Sequence, residues 1–178
     1  MAAAEVKSCG WGLGAWPGRG RGLAGLMLAA LLLGGCKSPA APSTAPVTQA
    51  VTISGRTFHL ELALTDQARY QGLSDRHQIA ADGGMLFVFP EAFRLTFVMR
   101  RCYVPIDVIF LDSDGRVDSW HQMKVEPYNR PDSQLHLYRS AWACQFAIEL
   151  RGGTIPSLHL KVGQKVDLPV EALKQQAQ

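Results

Sequence analysis

The sequence has little that would identify an enzyme or a cofactor site. It contains no Gly-x-Ser-x-Gly motif, which would expose a nucleophilic serine at a turn, and no glycine-rich phosphate loop before a helix. Its histidines show none of the short spacings that zinc sites favour. We therefore expect neither a metal nor a cofactor, and an enzyme is the less favoured interpretation.

An excess of charge of one sign is also missing. The chain carries 18 lysines and arginines against 15 aspartates and glutamates. Residues 1–35 hold three of the basic residues and one of the acidic residues, which leaves 15 against 14 and a net charge of +1 for the remainder. Without a basic stripe to neutralise phosphates, we expect no nucleic-acid partner.

The chain has no apolar run of the roughly 20 residues that a membrane span needs. Its most apolar stretch, residues 22–33, follows Arg19 and Arg21 and ends in two glycines before Cys36. A basic start, a short apolar run and small residues before a cut are typical of a secretory signal, and the cysteine is typical of bacterial lipoproteins. Residues 1–35 therefore predict a lipoprotein signal with lipidation at Cys36. An uncleaved signal anchor is the alternative.

The remaining chain divides into three parts. Residues 36–50 are rich in proline, alanine, serine and threonine and predict an extended lipidated tether. Residues 51–170 have the size of a single domain, and residues 171–178 predict a polar tail. Lys37 follows the cysteine where an aspartate would favour an inner membrane, so we expect the periplasmic face of the outer membrane in the bacterial cell envelope. The membrane would be contacted through lipid rather than through a protein span.

Two cysteines remain for the domain itself, because Cys9 lies in the predicted signal and Cys36 takes the lipid. Outside the cytoplasm disulfides form and persist, so Cys102 and Cys144 are candidates for a bridge. Two separate buried thiols are the alternative, since cysteine often behaves as a small apolar group. The sequence leaves both open because a bridge needs Cα atoms within about 7 Å.

Short apolar stretches divided by turns predict a mainly β fold. We expect strands at residues 58–64, 85–89, 95–99, 108–111, 116–123, 144–150 and 163–168. Pro90 should end the second of these, residues 112–115 should form a hairpin turn, and residues 126–140 should form a long polar loop. With a short helix after Thr65 and a helical turn in residues 155–160, the chain predicts a compact β-sandwich or barrel-like sheet with one or two short helices.

A series of short motifs also carries a resemblance to a known family. The motifs are Gly72-Leu73-x-x-Arg76, Gly84-Met85-Leu86-Phe87-Val88-Phe89, Phe97-x-Met99, Pro105-x-Asp107-x-x-Phe110-x-Asp112-x-x-Gly115 and Lys161-Val162-Gly163. In this order they resemble domain-of-unknown-function family 192 over most of residues 55–168. The resemblance implies a β-sandwich or closed sheet in a secreted or lipid-anchored protein, and it implies no activity. Ser74, Val98 and Cys102 depart from the methionine, tryptophan and threonine that are usual there.

Asp107 has the strongest claim to a special role. It lies in an apolar stretch, where burying a carboxylate without a partner costs several kcal/mol. Arg76, Arg100 and Arg101 are candidate partners, because arginine can bind a carboxylate through two hydrogen bonds. Backbone N–H groups are the alternative partners. His121 lies one strand later and could approach the same rim.

These residues lead to three function hypotheses. In the first, the domain binds a small ligand or part of an envelope protein, without turnover, at a cleft lined by Met99, Arg100, Asp107 and His121, with Arg76 in the same polar cluster. In the second, Asp107 and His121 are the acid and base of a hydrolase or transferase, which requires hydrogen-bond reach of about 2.6–3.2 Å. In the third, the domain is a scaffold for envelope assembly with an exposed apolar patch of several hundred Å².

Overall fold

A computed structural model describes residues 47–178 of the protein. The predicted signal, Cys36 and nearly all of the predicted tether lie outside the described residues. Within the described part, no helix has both the length and the apolar character to cross a membrane.

The described chain contains eight strands and three α-helices. In chain order they are β1 (Thr48–Ile53), β2 (Arg56–Ala63), α1 (Asp66–Gln71), β3 (Gly83–Phe93), β4 (Thr96–Phe97), β5 (Ile106–Leu111), β6 (Val117–Met123), β7 (Tyr138–Arg139), β8 (Cys144–Arg151), α2 (Ile155–Leu158) and α3 (Val170–Gln176). A short 3₁₀ turn occupies Asp132–Gln134 in the predicted polar loop. The prediction of a mainly β chain with short helices is confirmed.

Six strands form one sheet in the order β1-β2-β3-β8-β5-β6, and β4 pairs with β7 in a small second sheet. Only β2 and β3 are parallel, and α1 lies in the connection between them. The other neighbours in the large sheet are antiparallel. The sheet is therefore mixed and open, rather than the closed barrel that was one of the two predicted architectures.

Apolar side chains cover both faces of the large sheet, because neighbouring residues of a strand point to opposite sides. Face A is the side that carries Phe58, Leu60 and Ile148, and it packs under α2 and α3. Face B is the opposite side, which carries Phe87 and Val108. Every residue of β5 is buried, which is usual for a central strand covered on both faces.

The helix prediction after Thr65 is confirmed in detail. The Thr65 hydroxyl oxygen accepts a hydrogen bond from the backbone N–H of Ala68 at 3.2 Å, as expected of an N-cap residue. Gly72 ends the helix with a positive φ of 50°, and its N–H donates to the carbonyl of Ala68. A glycine is suited to this position because it adopts positive φ without a steric penalty.

The hairpin prediction at residues 112–115 is also confirmed. One carboxylate oxygen of Asp112 accepts hydrogen bonds from the backbone N–H groups of Asp114 and Arg116 at 2.9 and 2.8 Å. Gly115 has a φ of 72°, which the turn between β5 and β6 requires. The aspartate therefore closes a turn.

Three boundary predictions are wrong. Pro90 does not end β3, which continues to Phe93, because a register shift against β8 between Val88 and Phe93 accommodates a residue without an N–H. Residues 95–99 contribute only the two-residue strand β4. Residues 163–168 make isolated bridges to the two edge strands rather than a strand of their own.

The domain also extends beyond its predicted limits of 51 and 170. Strand β1 begins at Thr48, within the predicted tether. The predicted polar tail, 171–178, instead forms most of α3, whose Leu173 is buried in the core of face A. Val170 and Ala177 also pack against this core, so apolar contacts hold a segment whose composition is mostly polar.

Candidate functional site

Face B carries a row of paired residues that crosses all six strands. From one edge to the other, the row consists of Thr48, Glu61, Met85, Glu149, Val108 and His121. Neighbouring strands lie about 4.8 Å apart, so the Cα atom of Glu149 is roughly 10 Å from those of Glu61 and His121. The sheet therefore places three ionisable side chains at regular intervals on one side.

A cleft of about 260 Å³ lies at the Glu61 end of this row. It is lined by Thr48, His59, Glu61, Leu73, Arg76, Gln78, Ile79, Ala80, Asp82, Gly83 and Gly84. These residues come from β1, β2, the connection at residues 73–82 and the first two residues of β3. The lining combines two carboxylates, one guanidinium and one imidazole with a small apolar wall.

Glu61 and Arg76 form the most ordered polar feature of the cleft. The two Nη atoms of Arg76 donate to the two carboxylate oxygens of Glu61, each at 2.6 Å. The Arg76 side chain is 39% exposed and that of Glu61 is 22% exposed. A pair this open to water contributes little to stability, so the two-point geometry is better suited to recognition than to holding the fold.

Glu149 lies behind the cleft wall, in the interior of face B. Burial raises the pKa of its carboxyl to about 8, although the backbone N–H of Leu73 donates a hydrogen bond to it. Its Oε2 atom is buried and has no hydrogen-bond partner among the described residues. A carboxyl in these surroundings is held protonated at neutral pH, because desolvation penalises the charged form.

Two turns contact each other at residues 74–75 and 100–101. The hydroxyl of Ser74 donates to the carbonyl of Arg100 at 2.9 Å, and the N–H of Asp75 donates to the carbonyl of Arg101 at 2.8 Å. Asp75 and Arg101 also form an ion pair, and both have positive φ angles, 64° and 50°. Two non-glycine residues in this conformation indicate a contact that the surrounding structure holds firmly.

Most of the residues predicted to share one cleft lie apart. Arg76 lines the observed cleft, whereas Met99 is buried in the core of face B. The guanidinium of Arg100 binds the carboxylate of Asp132 at 3.0 Å and lies over the ring of Tyr70. The structure therefore does not bring Arg76, Met99 and Arg100 into one binding cleft.

Asp107 is bound by backbone rather than by an arginine. Its Oδ2 accepts a hydrogen bond from the N–H of Ile155 at 2.8 Å, at the first residue of α2. This is the alternative left open by the sequence, and it places Asp107 on face A. The carboxylate satisfies one of the free N–H groups at the start of that helix.

His121 lies on the other side of the sheet from Asp107. It pairs with Val108 in the register between β5 and β6, whereas Asp107 pairs with Gln122. The Nε2 atom of His121 is 2.8 Å from the carbonyl oxygen of Arg139 and can donate to it. The acid-base pair of the second hypothesis is therefore not assembled, because the two side chains point to opposite faces.

Cys102 and Cys144 are separate buried thiols in this structure. Burial raises the pKa of each thiol to about 12, and the nearby Glu149 carboxyl contributes to the rise at Cys102. The Cys102 thiol donates to the carbonyl of Arg100 at 3.4 Å. Neither thiol is suited to nucleophilic chemistry, because the reactive form is the thiolate.

No group of three His, Cys, Asp or Glu side chains within residues 47–178 is arranged to hold a metal ion.

The sequence reasoning missed two residues of this region, Glu61 and Glu149. Glu149 carried the same signal as Asp107, since it stands between Ile148 and Leu150 in an apolar stretch. The alternation of apolar and other residues in that stretch suggested a strand with one exposed face, although β8 is buried on both of its faces.

Two solved structures are similar to the chain. One is a protein of unknown function from Novosphingobium aromaticivorans DSM 12444, with 28% identity, a TM-score of 0.62, and coverage of 73% of this chain and 91% of that chain. The other is described as a candidate transcription regulator from Sinorhizobium meliloti 1021, with 32% identity, a TM-score of 0.55, and coverage of 67% and 90%. No curated protein matches the chain.

Several residues of the motifs that suggested a family form turns or close backbone contacts in the fold. Gly72 and Gly84 have positive φ beside Glu149, and Asp112 and Gly115 form the β5–β6 turn. The model of the DUF192 family, described as "Uncharacterized ACR", matches residues 49–168, which include all eight strands except the first residue of β1. The chain belongs to the DUF192 family.

Proposed function

We propose that the chain is a lipid-anchored binding module of the bacterial envelope, which holds a small polar ligand without turnover at the cleft beside Glu61 and Arg76. The observation that carries the proposal is the two-point contact between these side chains at the mouth of a cavity of about 260 Å³. Binding sites combine an apolar wall with a few convergent polar groups in this way.

The cleft favours a ligand that carries both an acidic and a basic group, such as an amino acid or a short peptide. A ligand carboxylate would compete with Glu61 for the fork of Arg76, and the displaced carboxylate of Glu61 would then accept an ammonium group. Asp82 provides a second carboxylate in the lining, and Leu73 and Ile79 provide the apolar wall. The volume suits a ligand of this size rather than a larger cofactor.

The location rests on the sequence. The arginines before residues 22–33, the two glycines and Cys36 favour lipidation at that cysteine. Anchoring by several acyl chains is stable, whereas a single chain gives only marginal binding. We place the module on the periplasmic face of the outer membrane.

Two other activities have less support. Acid-base catalysis by Asp107 and His121 is disfavoured by their positions on opposite faces of the sheet. The Sinorhizobium meliloti protein is described as a candidate transcription regulator. A net charge of +1 outside residues 1–35 gives this chain no basic stripe for DNA.

The test uses the full chain expressed in a bacterial envelope and purified in detergent. Intact mass reports the lipid at Cys36, and calorimetry with a panel of amino acids and dipeptides reports binding. Arg76→Gln should weaken the binding of whichever compound of the panel binds the wild-type protein by at least tenfold. Arg130→Gln is the matched control, because Arg130 is also 39% exposed and also pairs with a glutamate, Glu126.

Two results would contradict the proposal. An unmodified Cys36 in a protein recovered from the envelope would remove the anchor. Failure of the whole panel to bind at millimolar concentration, or equal losses in the Arg76 and Arg130 variants, would remove the cleft as the ligand site.

A further inference from the structure

The carboxyl of Glu149 is buried against the backbone from which the cleft wall begins. Its Oε2 atom is enclosed and has no hydrogen-bond partner among the described residues. Gly72 lies against this atom, since a Cβ at Gly72 would be 3.6 Å from it, and the backbone N–H of Leu73 donates to the carboxyl. Leu73 also lines the cleft. The backbone that covers Glu149 is therefore the same backbone that starts the wall.

The backbone over this carboxyl leads directly to the arginine of the cleft. We call residues 72–76 the cover segment, which begins the connection between α1 and β3. Leu73 is the one buried residue of this segment, and Arg76 at its end binds Glu61 in the cleft. A segment with so few buried side chains opens locally at lower cost than the strands behind it. Movement at Leu73 would displace Arg76 as well.

Contacts near the surface hold the cover segment closed. The hydroxyl of Ser74 donates to the carbonyl of Arg100 at 2.9 Å. The carboxylate of Asp75 accepts from the hydroxyl of Tyr128 at 3.1 Å and pairs with Arg101. The side chains of Arg101 and Asp75 are 45% and 37% exposed, so their ion pair contributes little to stability. Both residues also have positive φ angles, which are costly for residues other than glycine and which opening would relieve.

Apolar side chains lie beside the Glu149 carboxyl on the sheet. Met85 and Phe87 lie next to it on β3, and Val108 lies next to it on β5. The titratable group nearest to it in the 100–102 turn is the thiol of Cys102, whose pKa is raised to about 12 by burial and by the Glu149 carboxyl. Burial raises the pKa of the Glu149 carboxyl to about 8, and no charged side chain of the described residues offsets this effect.

The charged and titratable side chains around this site already have partners. They are Asp75 with Arg101, Arg100 with Asp132, Glu61 with Arg76, and His121 with the carbonyl of Arg139. After ionisation, the described chain would offer the Glu149 carboxylate the N–H of Leu73 and leave Oε2 without a donor. A buried charge without partners is costly, so the carboxylate needs water. Water reaches Oε2 when Gly72 and Leu73 move away from it.

We propose that ionisation of Glu149 opens the cleft wall at Leu73 and Arg76, which makes this buried carboxyl a pH-sensitive switch for the cleft. The switch acts on the cleft of the proposed function, but the opening itself requires no ligand. The closed wall is favoured while the proton is retained. The open wall, in which water reaches the carboxylate, becomes more populated as pH rises from the ordinary pKa of 4.5 to the closed-state pKa of about 8.

The test measures amide hydrogen exchange in the full chain without a ligand. The backbone N–H groups of Gly72, Ser74 and Asp75 are hydrogen-bonded in the closed form. We expect their protection, corrected for the intrinsic effect of pH on exchange, to fall at least tenfold between pH 6 and pH 8. They should also exchange at least tenfold faster than the amides of β5 at each pH, because the opening is local. The bonded amides of Asp114 and Arg116 in the β5–β6 turn should show no such fall.

Three variants separate the switch from a merely structural role. Glu149→Gln should abolish the pH dependence of protection in the cover segment. Asp107→Asn is the matched control, because Asp107 is also a buried carboxylate bonded to a backbone N–H, but on face A, and it should retain that pH dependence. Ser74→Ala removes the hydrogen bond to the Arg100 carbonyl and should speed exchange by the same factor at pH 6 and pH 8.

The outcomes distinguish the switch from the proposed function. Protection in the cover segment that stays constant from pH 6 to pH 8 would overturn the switch and leave the cleft as a binding site. The same pH dependence in wild type and Glu149→Gln would also overturn it. If the cover segment opens as expected but no amino acid or dipeptide binds at pH 6, the proposed function is wrong and the switch stands.

Discussion

Gly72 lies directly against the buried carboxyl of Glu149. A Cβ at Gly72 would be 3.6 Å from Oε2 of Glu149 and 3.4 Å from the ring of Phe87. The helix that leads to the cleft wall therefore ends in contact with the one buried side-chain oxygen that lacks a hydrogen-bond partner in the described chain. The next residue, Leu73, lines the cleft, and its backbone N–H donates to the same carboxyl.

The free energy of unfolding should fall as pH rises above 4.5. The folded pKa of Glu149 is raised from 4.5 to about 8, so the folded state retains a proton that the unfolded state has released. Each pH unit in this window then costs about 1.4 kcal/mol, for a total on the order of 4 kcal/mol between pH 4.5 and pH 8. Urea unfolding across this range measures the effect.

Glu149→Gln should remove most of this pH dependence, because the amide has no charge to desolvate. The variant should exceed the wild type in stability at pH 8 and lose that advantage at pH 4.5. Glu91→Gln, at an exposed position, is the control and should follow the wild type. A wild-type stability that stays level or rises from pH 5 to pH 8 would show that the Glu149 carboxylate is stabilised as an ion.

Gly84→Ala should destabilise the domain severely. A Cβ at Gly84 would overlap the carbonyl oxygen of Glu149 on the neighbouring strand, so the β3–β8 pairing would have to open. We expect a loss of more than about 3 kcal/mol, since backbone cannot yield as a flexible side chain can. Gly55→Ala is the control, because Gly55 has a φ of 78° and open space around it, and it should cost about 1 kcal/mol. Thermal or urea unfolding distinguishes the two. Equal losses would show that only the φ angle matters.

Asp107→Ala should cost about 2 to 3 kcal/mol of stability, because the N–H of Ile155 would lose a buried, charge-assisted partner. Asp107→Asn keeps an acceptor oxygen and should cost about 1 kcal/mol. The loss of stability caused by His121→Ala should add to the loss caused by either Asp107 variant, since the two side chains lie on opposite faces of the sheet. A double-mutant coupling above about 1 kcal/mol would instead indicate a shared site.

Cys102 and Cys144 should both react with a thiol reagent only after the protein is unfolded. Burial and a pKa of about 12 leave little thiolate at pH 8. Iodoacetamide at pH 8 should therefore leave both residues unmodified in the folded chain for hours and modify both in urea. An intact mass lower by two hydrogens, restored by reductant, would show a disulfide and contradict the separate thiols.

The local elements could be predicted because their signals are local. Thr65 and Gly72 mark the ends of α1, and Asp112 and Gly115 specify the β5–β6 turn, each through contacts a few residues apart. The C-terminal helix could not be found this way. Its seven residues are mostly polar, and it is held by Leu173 against face A.

The candidate site was harder to predict than the elements. Asp107 was correctly identified as a buried carboxylate that needs a partner. The side of the sheet on which its side chain lies depends on how the strands pair, and the residue pattern of one strand does not specify that pairing. Glu61 and Arg76 stand 15 positions apart and meet only through the parallel β2–β3 crossover. Sequence spacing contains no signal for such a contact.

The arginine side-chain resonances of the full chain provide the most direct test of the binding cleft. A ¹⁵N spectrum would follow the Nε–H signals of Arg76 and Arg130 while amino acids and dipeptides are added. The account predicts that the Arg76 signal shifts and saturates with one compound while the Arg130 signal stays fixed. An Arg76 signal that remains still with every compound, or both signals moving together, would contradict a ligand at Glu61 and Arg76.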